Sequence, residues 1–465
     1  MTPYQQVRER YAFPFELRPQ QVNIVDDLCQ QPRVGYYAEA GTGKTSMATH
    51  QALYMQDTEQ WLIVMPPILL LQWDRWLRSV KRDGKPLTTT VYSGTPAQRK
   101  LLNLNSMFIL MSFGLLKNDF ERLYDHFKDR AFGVIVDEAT AIKNTGSDTH
   151  KAVNLISEHR PLMLLTGTPI NKPGDAFAYI KLIAPGTYRN RRQFDRLHVE
   201  EEDDYGTVTK WCNLDVLAAN MKINSRTLSL LEARADLKEP LYTPIRYNLD
   251  PAHLKLYRRI AEERLVEFDN GKEIDAISAG ALRSALQQVV INWGAFDDDD
   301  SRRPAVLDLI EEVLEEIGEA KLVVAAHFIR TNAYLLEALK KYNAVAVYGE
   351  VSKQNKQKAI TRFIEDPKCR IILLQPSSAG FGVDGLQHVC SDMLVVEAPT
   401  TPTPFKQVVA RLARDGQSNH VHVRVAIAQG TVQVGMFRSL LDNDELANSV
   451  HGGYKTLRNS VYGDE

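Results

Sequence analysis

Ala38-Glu-Ala-Gly-Thr-Gly-Lys-Thr45 is the stretch from which the rest of the chain can be read. It follows a short apolar segment and precedes the helix-compatible run Ser46 to Tyr54, the setting that a phosphate-binding loop requires. Gly41 and Gly43, with Thr42 between them, let backbone N–H groups turn inward at a helix N-terminus, where the dipole favours an anion. Lys44 adds a mobile positive charge, and Thr45 offers a hydroxyl to Mg2+. Ala38 stands where the general Walker A spacing has its first glycine.

The second half of such a site is a buried strand that ends in acids, and Phe132-Gly-Val-Ile-Val-Asp137-Glu138 supplies it. Asp137 emerges at the carboxyl end, placed to hold Mg2+ directly or through water. Glu138 beside it polarises an attacking water. The pairing points to hydrolysis, because a transfer enzyme has to exclude water.

Outward from these two segments, short runs of Val, Ile and Leu alternate with helix-compatible stretches, the rhythm of parallel strands joined by crossover helices. Trp61 to Met65, Met107 to Ser112, Gly133 to Val136 and Leu162 to Leu165 read as buried strands. The rhythm returns in Leu322 to Ala325, Ala344 to Tyr348, Ile371 to Leu374, Met393 to Val396 and Val421 to Ala428. Between the blocks, from about Arg189 to Gly318, the pattern reads as mostly helical, with helices over Pro251 to Phe268 and Pro304 to Ile317. Two acidic runs there, Glu200 to Asp204 and Asp297 to Asp300, read as solvated loops.

Composition sets outer bounds. At about 150 residues per domain, 465 residues allow two large domains or three ordinary ones. A hydrophobic fraction of 44% and a charged fraction of 25% are ordinary globular usage. A net charge of -2 excludes a protein basic all over but leaves room for a local basic groove. No apolar run approaches the roughly 20 residues that span a bilayer, and Met1 to Phe13 carries no signal-peptide stretch. Cys29, Cys212, Cys369 and Cys390 form no close pairs, so a reducing cytoplasm fits. His420 and His422 alternate along a strand without further zinc ligands nearby, and no Gly-x-Ser-x-Gly elbow for acyl transfer is present.

With the phosphate loop and acidic strand in place, the order of segments resembles a superfamily 2 helicase motor of the Swi/Snf-type branch of DNA-dependent ATPases, from about Leu17 to Gly435. Leu17-Arg-Pro-Gln-Gln21 resembles the adenine-reading Q motif, with Gln21 in the reading position. Leu62-Ile-Val-Met-Pro-Pro-Ile-Leu-Leu-Leu-Gln-Trp73 resembles motif Ia, and Met111-Ser-Phe-Gly-Leu-Leu116 a later backbone-touching segment. Asp137-Glu-Ala-Thr140, followed by Ile142-Lys-Asn144, resembles the DEAH box, with Thr140 in place of the histidine. Leu165-Thr-Gly-Thr-Pro-Ile-Asn171 resembles motif III, which gives Thr166 and Thr168 a coupling role between ATP site and DNA track.

In the second block, Lys321-Leu-Val-Val-Ala-Ala-His-Phe328 is similar to motif IV and Ser378-Ala-Gly-Phe-Gly-Val-Asp384 to motif V, which assigns Gly380 and Asp384 to the nucleotide. An extra glycine, Gly385, follows. Gln407-Val-Val-Ala-Arg411-Leu-Ala-Arg414-Asp-Gly-Gln417 reproduces motif VI, with Gln407, Arg411 and Arg414 in catalytic positions. Arginines from a second lobe stabilise charge on the transferred phosphoryl group only when the lobes close. Three residues apart on an expected helix, Arg411 and Arg414 would share one face.

The resemblance implies an α/β fold of two RecA-like parallel-sheet lobes with helical insertions between them. The N-terminal lobe is expected over 1–240, with a helical protrusion at about 187–236. The C-terminal lobe is expected over 241–465, with an insertion at about 251–317. It also implies ATP and Mg2+ as cofactors and DNA, duplex or branched, as partner, with no membrane. The location implied is the cytoplasm, nucleoid-associated or in a host cell. A motor that walks grips phosphates rather than bases. The short polar residues and amides placed for this are Gln72, Ser93, Gly94 and Ser112 in lobe 1, and Gly349, Ser352, Ser377 and Ser378 in lobe 2. The expected function is an ATP-dependent DNA translocase or helicase acting in branch migration, unwinding or protein displacement. Two alternatives stand beside it: an ATP-switched DNA-binding module, and an RNA helicase, which the Thr-Gly-Thr-Pro of motif III disfavours.

Overall fold

In a computed structural model of the chain, the described residues are 1–204, 206–234, 237–263, 265–267, 273–275, 279–293, 303–376, 383–451 and 458. Contacts divide the chain into two units: Met1–Ala235 with Leu446–Tyr454, and Asp236–Glu445 with Lys455–Glu465.

The first unit is built on β1 (Arg33–Ala38), β2 (Gln60–Met65), β3 (Thr89–Tyr92), β4 (Phe108–Ser112), β5 (Phe132–Asp137), β6 (Leu162–Thr166) and β7 (Ser225–Leu228). They lie in the order β7-β1-β6-β5-β2-β4-β3, and every neighbouring pair is parallel. Such a sheet is covered on both faces, so its central strands read as near-continuous apolar runs rather than alternating with polar residues. β2, β4, β5 and β6 are buried at every position. Successive side chains still part to opposite faces. Leu62, Val64, Ile109, Met111, Val134 and Val136 enter one core, which Ala447 and Val450 also join. Trp61, Ile63, Met65, Phe108, Leu110 and Ile135 enter the other.

The second unit repeats the plan with β8 (Leu241–Tyr247), β9 (Leu322–Ala325), β10 (Val345–Val347), β11 (Ile371–Leu374), β12 (Asp392–Val395) and β13 (His422–Ala428). Their order is β8-β13-β12-β9-β11-β10, again all parallel. Leu322, Val324, Ile371, Leu373 and Leu394 face one core, and Val323, Ala325, Ile372, Leu374, Met393 and Val395 the other. The α/β class and the pair of RecA-like parallel-sheet lobes are as the sequence implied.

The middle of the chain differs from its helical reading. It contributes β7 to the first sheet and β8 to the second, and a hairpin pairs Val199–Glu202 with Val208–Trp211. β8 is only partly buried and contains Pro244, which lacks a ladder donor, and it lies at a sheet edge where that is tolerated. That half-exposed composition hides the strand from an apolar-run search. The acidic run Glu200 to Asp204 is partly strand rather than loop, exposed, with Lys210 Nζ 2.7 Å from Glu200 Oε1. The run Asp297 to Asp300 lies outside the described residues. The helix from Pro251 ends at Glu263, and Leu265–Glu267 instead pairs as a strand with Glu273–Asp275. Ala305–Glu316 is helical, its buried Val306, Leu309, Ile310 and Val313 spaced at three and four residues. All four cysteines are free. Among the described residues no helix is long and apolar enough to cross a membrane.

Candidate nucleotide site and nucleic-acid surface

The phosphate loop joins β1 to α1 (Lys44–Tyr54) at the carboxyl edge of the first sheet. Gly41 and Gly43 have φ of 82° and 80°, the left-handed region that glycine enters without a Cβ penalty. Gly43 is the N-cap of α1, so the first free N–H groups of the helix open into the loop. Lys44 Nζ donates to Ala38 O at 2.6 Å and Glu39 O at 3.0 Å. The ammonium thus spans the loop, bonded to carbonyls at its start.

Asp137 ends β5, buried, with both carboxylate oxygens engaged. Trp73 Nε1 donates to Oδ2 at 2.7 Å, and Glu138 N donates to Oδ1 at 2.9 Å. Burial pushes the Asp137 carboxyl above its usual range, opposed by the Trp73 bond, the Lys44 charge and the Glu138 N–H. Glu138 holds a left-handed backbone, φ 54°, an unusual conformation for a residue with a Cβ. Among the described residues no group of three or more His, Cys, Asp or Glu side chains is arranged to hold a metal ion.

Other parts of lobe 1 close on the same loop. Gln21 Nε2 donates to Thr42 O at 2.8 Å, while its Oε1 accepts from Arg18 N at 2.7 Å. β6 lies beside β1, with Thr166 opposite Tyr37, and Thr166 is fully buried, its Oγ1 accepting from Thr168 N at 3.2 Å. A Cβ on Gly167 would stand 3.4 Å from Ala38 O, Ala40 N and Glu39 Cα. The motif III turn therefore lies against the backbone of the phosphate loop.

In lobe 2 the arginines are not on a helix. α2 (Pro402–Val409) carries Gln407 and stops before them. Beyond it the chain continues in tight turns, Leu412 N to Val409 O and Arg414 N to Leu412 O both 3.0 Å, leading to a left-handed Gly416 with φ 89°. The arginines nevertheless reach one segment: Arg411 Nη1 donates to Val383 O at 3.4 Å, and Arg414 Nη1 lies 3.2 Å from Asp384 Oδ1.

Residues 35–292, more than half of the chain, match the family model of the SNF2-related domain, and residues 305–416 match the helicase conserved C-terminal domain. The chain belongs to the SNF2-related family. This places it among the helicase-type ATPases of superfamily 2. It is 24% identical over 461 residues to the mouse DNA annealing helicase and endonuclease ZRANB3, a match covering 94% of this chain and 41% of that protein. It is 24% identical over 438 residues to the Saccharomyces cerevisiae DNA repair and recombination protein RAD54, covering 81% of this chain and 47% of that one. The chain thus spans less than half the length of these relatives. The SWI2/SNF2 ATPase core of Sulfolobus solfataricus in complex with dsDNA is similar at 21% identity, TM-score 0.44, over 96% of this chain and 99% of that one.

In this SNF2-related chain the expected nucleic-acid residues lie in different settings. Gln72, on α3 (Leu70–Ser79 in chain position, between β2 and β3), and Ser93, just after β3, are exposed. Ser112 is buried and caps the helix Phe113–Asn118 through Leu115 N at 3.4 Å, and Ser352 caps Lys353–Glu365 through Asn355 N at 3.3 Å. Gly349 N donates to Gln375 Oε1 at 2.9 Å, and Gln375 Nε2 donates to His327 O at 3.0 Å, so one side chain ties the loops after β9 and β10. Ser377, Ser378 and Gly380 lie outside the described residues.

Sequence reading passed over Trp73, Gly167 and Gln375. The first two lie inside quoted motifs, but nothing in a single sequence tells an indole that packs from one that also donates to a strand-end carboxylate.

Proposed function

We propose that this chain is an ATP-dependent DNA translocase, coupling ATP hydrolysis to movement along duplex or branched DNA in replication, recombination or repair. The observation that carries the reading is the convergence in lobe 1 of the Lys44 ammonium, the left-handed Gly41 and Gly43, and the buried Asp137, whose ionised form Lys44 favours. A helix N-terminus facing a lysine and a strand-end carboxylate is suited to a nucleoside triphosphate with its metal.

The donors fit Mg2+: the Asp137 carboxylate and the Thr45 hydroxyl are hard oxygen ligands, and Mg2+ commonly takes one or two carboxylates plus substrate phosphates and water. Bound there, the ion would neutralise charge on the phosphate oxygens. The chain's own groups do the rest. Gly41, Thr42 and Gly43 present backbone N–H groups, Lys44 moves from the loop carbonyls to the phosphates, and Gln21 fixes the loop and reads the base. Glu138 orients the attacking water. Arg411 and Arg414, with Gln407, are assigned to the charge that develops on the transferred group, and Gly380 and Asp384 of motif V to the nucleotide. Thr166 and Thr168 carry the state of the loop toward the residues assigned to DNA: Gln72, Ser93, Ser112, Gly349, Ser352, Ser377 and Ser378.

In this reading the N-terminal lobe is 1–240 with a protrusion at about 187–236, the C-terminal lobe is 241–465 with an insertion at about 251–317, and the protein works in the cytoplasm. What relatives named for DNA annealing and for DNA repair and recombination lend is the class of substrate.

The test is ATPase stimulation by RNA, single-stranded DNA, duplex DNA and four-way junctions, followed by displacement of a triplex-forming strand from duplex. Stimulation by duplex or junction with strand displacement is expected. Stimulation without displacement would leave an ATP-switched binding module, and preferential stimulation by RNA would overturn the DNA assignment.

A further inference from the structure

Helix α3 carries exposed polar and basic side chains on one side and two tryptophans on the other. Leu71, Gln72, Arg75, Arg78 and Ser79 are exposed, whereas Leu70, Trp73 and Leu77 are buried and Trp76 is half-buried. This is the three-and-four spacing of an amphipathic helix against a core. Burial alone accounts for the apolar side. It does not account for where the indole N–H groups go.

Trp73 Nε1 donates to Asp137 Oδ2 at 2.7 Å. Trp76 Nε1 donates to Thr49 Oγ1 at 3.0 Å, and Thr49 Oγ1 donates its own proton to Thr45 O at 2.7 Å. The direction is forced, since an indole nitrogen only donates and a hydroxyl has one proton. One helix therefore reaches both residues assigned to Mg2+, the carboxylate directly and Thr45 through one hydroxyl. A buried indole needs an acceptor, but any carbonyl would satisfy it. Here one of the two acceptors is the strand-end carboxylate itself.

We propose that Trp73 and Trp76 are positioning residues: they fix the Asp137 carboxylate and the Thr45 backbone relative to α3, so that nucleic acid held on the exposed side of the helix sets the geometry of the magnesium–nucleotide site. Removing the Trp73 donor leaves Asp137 Oδ2 without its indole partner, and loss of a partner of this kind typically costs about 10- to 100-fold in metal affinity. The inference rests on the motor reading, in which this lobe binds Mg·ATP and DNA.

Trp73→Phe and Trp76→Phe keep the aromatic packing and delete the N–H. Equilibrium binding of a fluorescent ATP analogue is measured in Mg2+ and in EDTA, together with duplex-DNA affinity by anisotropy and turnover with and without DNA. For Trp73→Phe the tightening of nucleotide binding by Mg2+ is expected to weaken about 10- to 100-fold, with binding in EDTA and DNA affinity unchanged and DNA stimulation of turnover reduced. Trp76→Phe is expected to act in the same direction more weakly. Thr49→Val, which breaks the same chain from its other end, is expected to match Trp76→Phe without adding to it. If Trp73→Phe does not fold, the Trp76 and Thr49 variants carry the test.

Wild-type Mg2+ dependence and wild-type DNA stimulation in these variants would overturn the proposal. An equal loss of nucleotide binding in Mg2+ and EDTA would do the same, because it would mark a packing role. Absence of DNA-stimulated turnover in the wild-type protein would instead be a failure of the motor reading.

Discussion

Gln21 Nε2 lies 2.8 Å from Thr42 O, and a Cβ placed on Gly43 would stand 2.5 Å from that same nitrogen. The amide is therefore packed into the turn of the phosphate loop, and its other end holds Arg18 N at 2.7 Å. A residue assigned to reading a base is already fixing the shape of the loop assigned to the phosphates.

Gln21→Ala removes both bonds and leaves the loop to find its own shape. Nucleotide affinity is expected to fall about tenfold, on the scale of one or two lost neutral hydrogen bonds. ATP and GTP affinities, measured side by side, separate the two roles. Loop support lowers both equally, and base reading lowers ATP more. Unchanged affinity for both would show that the amide does neither.

Lys44→Ala deletes the charge that now rests on Ala38 O and Glu39 O. Turnover is expected to fall by at least about 10²-fold, the usual effect of losing one preorganised donor to developing charge. Ala38 ends β1 and is buried, so the melting temperature is measured beside turnover to separate lost folding from lost chemistry. DNA-stimulated hydrolysis near the wild-type rate would remove the loop from the active site.

Glu138→Gln separates charge from shape. The position has φ 54° and the new side chain is isosteric, so the local backbone is kept. Nucleotide binding is expected to persist while hydrolysis stalls, because an amide does not polarise water as a carboxylate does. Single-turnover hydrolysis decides it. A wild-type rate would put the base elsewhere.

How much of this was legible beforehand depended on burial. The central strands of both sheets are near-continuous apolar runs, so β9 (Leu322–Ala325) and β11 (Ile371–Leu374) run over the residues expected. Edge strands obey other rules. β8, with Pro244 and Arg246, has neither alternation nor an apolar run, and what holds it is parallel pairing with β13, a partner some 180 residues away in sequence. The glycine turn and the acidic strand end were legible because they demand particular residue types. Trp73 was not, because the demand there is one N–H direction, fixed only when α3 packs on β3 and β4 and its indole meets the end of β5. The turn that holds Arg411 and Arg414 was read as helix because the spacing of three is the same in both.

Arg411→Ala tests the late arginine. Its Nη1 donates to Val383 O at 3.4 Å, a long bond whose loss changes stability little. Turnover is expected to fall about 10³-fold or more, as when an arginine finger is removed, with nucleotide affinity changed only a few-fold. Rapid-mix hydrolysis and equilibrium binding measure the two separately. An unchanged turnover number would remove Arg411 from the transition state and leave it a structural brace for motif V.

His50 gives the phosphate-loop helix a dependence on pH. It is fully buried in α1, its Nδ1 donating to Ser46 O at 2.8 Å, and its ring is stacked on Phe13 at 3.8 Å and on Tyr4 at 5.2 Å between centroids. Burial lowers its pKa to about 4, opposed by the Ser46 bond and helped by the nearby Arg8 charge. The unfolded chain takes up this proton near pH 6.5 and the folded chain only near 4. Between those values the unfolded state binds more protons, so this contribution is fully present above about pH 6.5 and is lost as pH falls toward 4. The shift corresponds to roughly 3 kcal/mol. Hydrogen exchange of the α1 amides, followed from pH 7 to pH 4 and corrected for intrinsic exchange, is expected to show protection falling in the wild type and falling less in His50→Phe, which keeps the stack and has no proton to take up. Parallel curves for the two proteins would mean that His50 is charged in the folded state, and that the stack on Phe13 holds an imidazolium rather than a neutral ring.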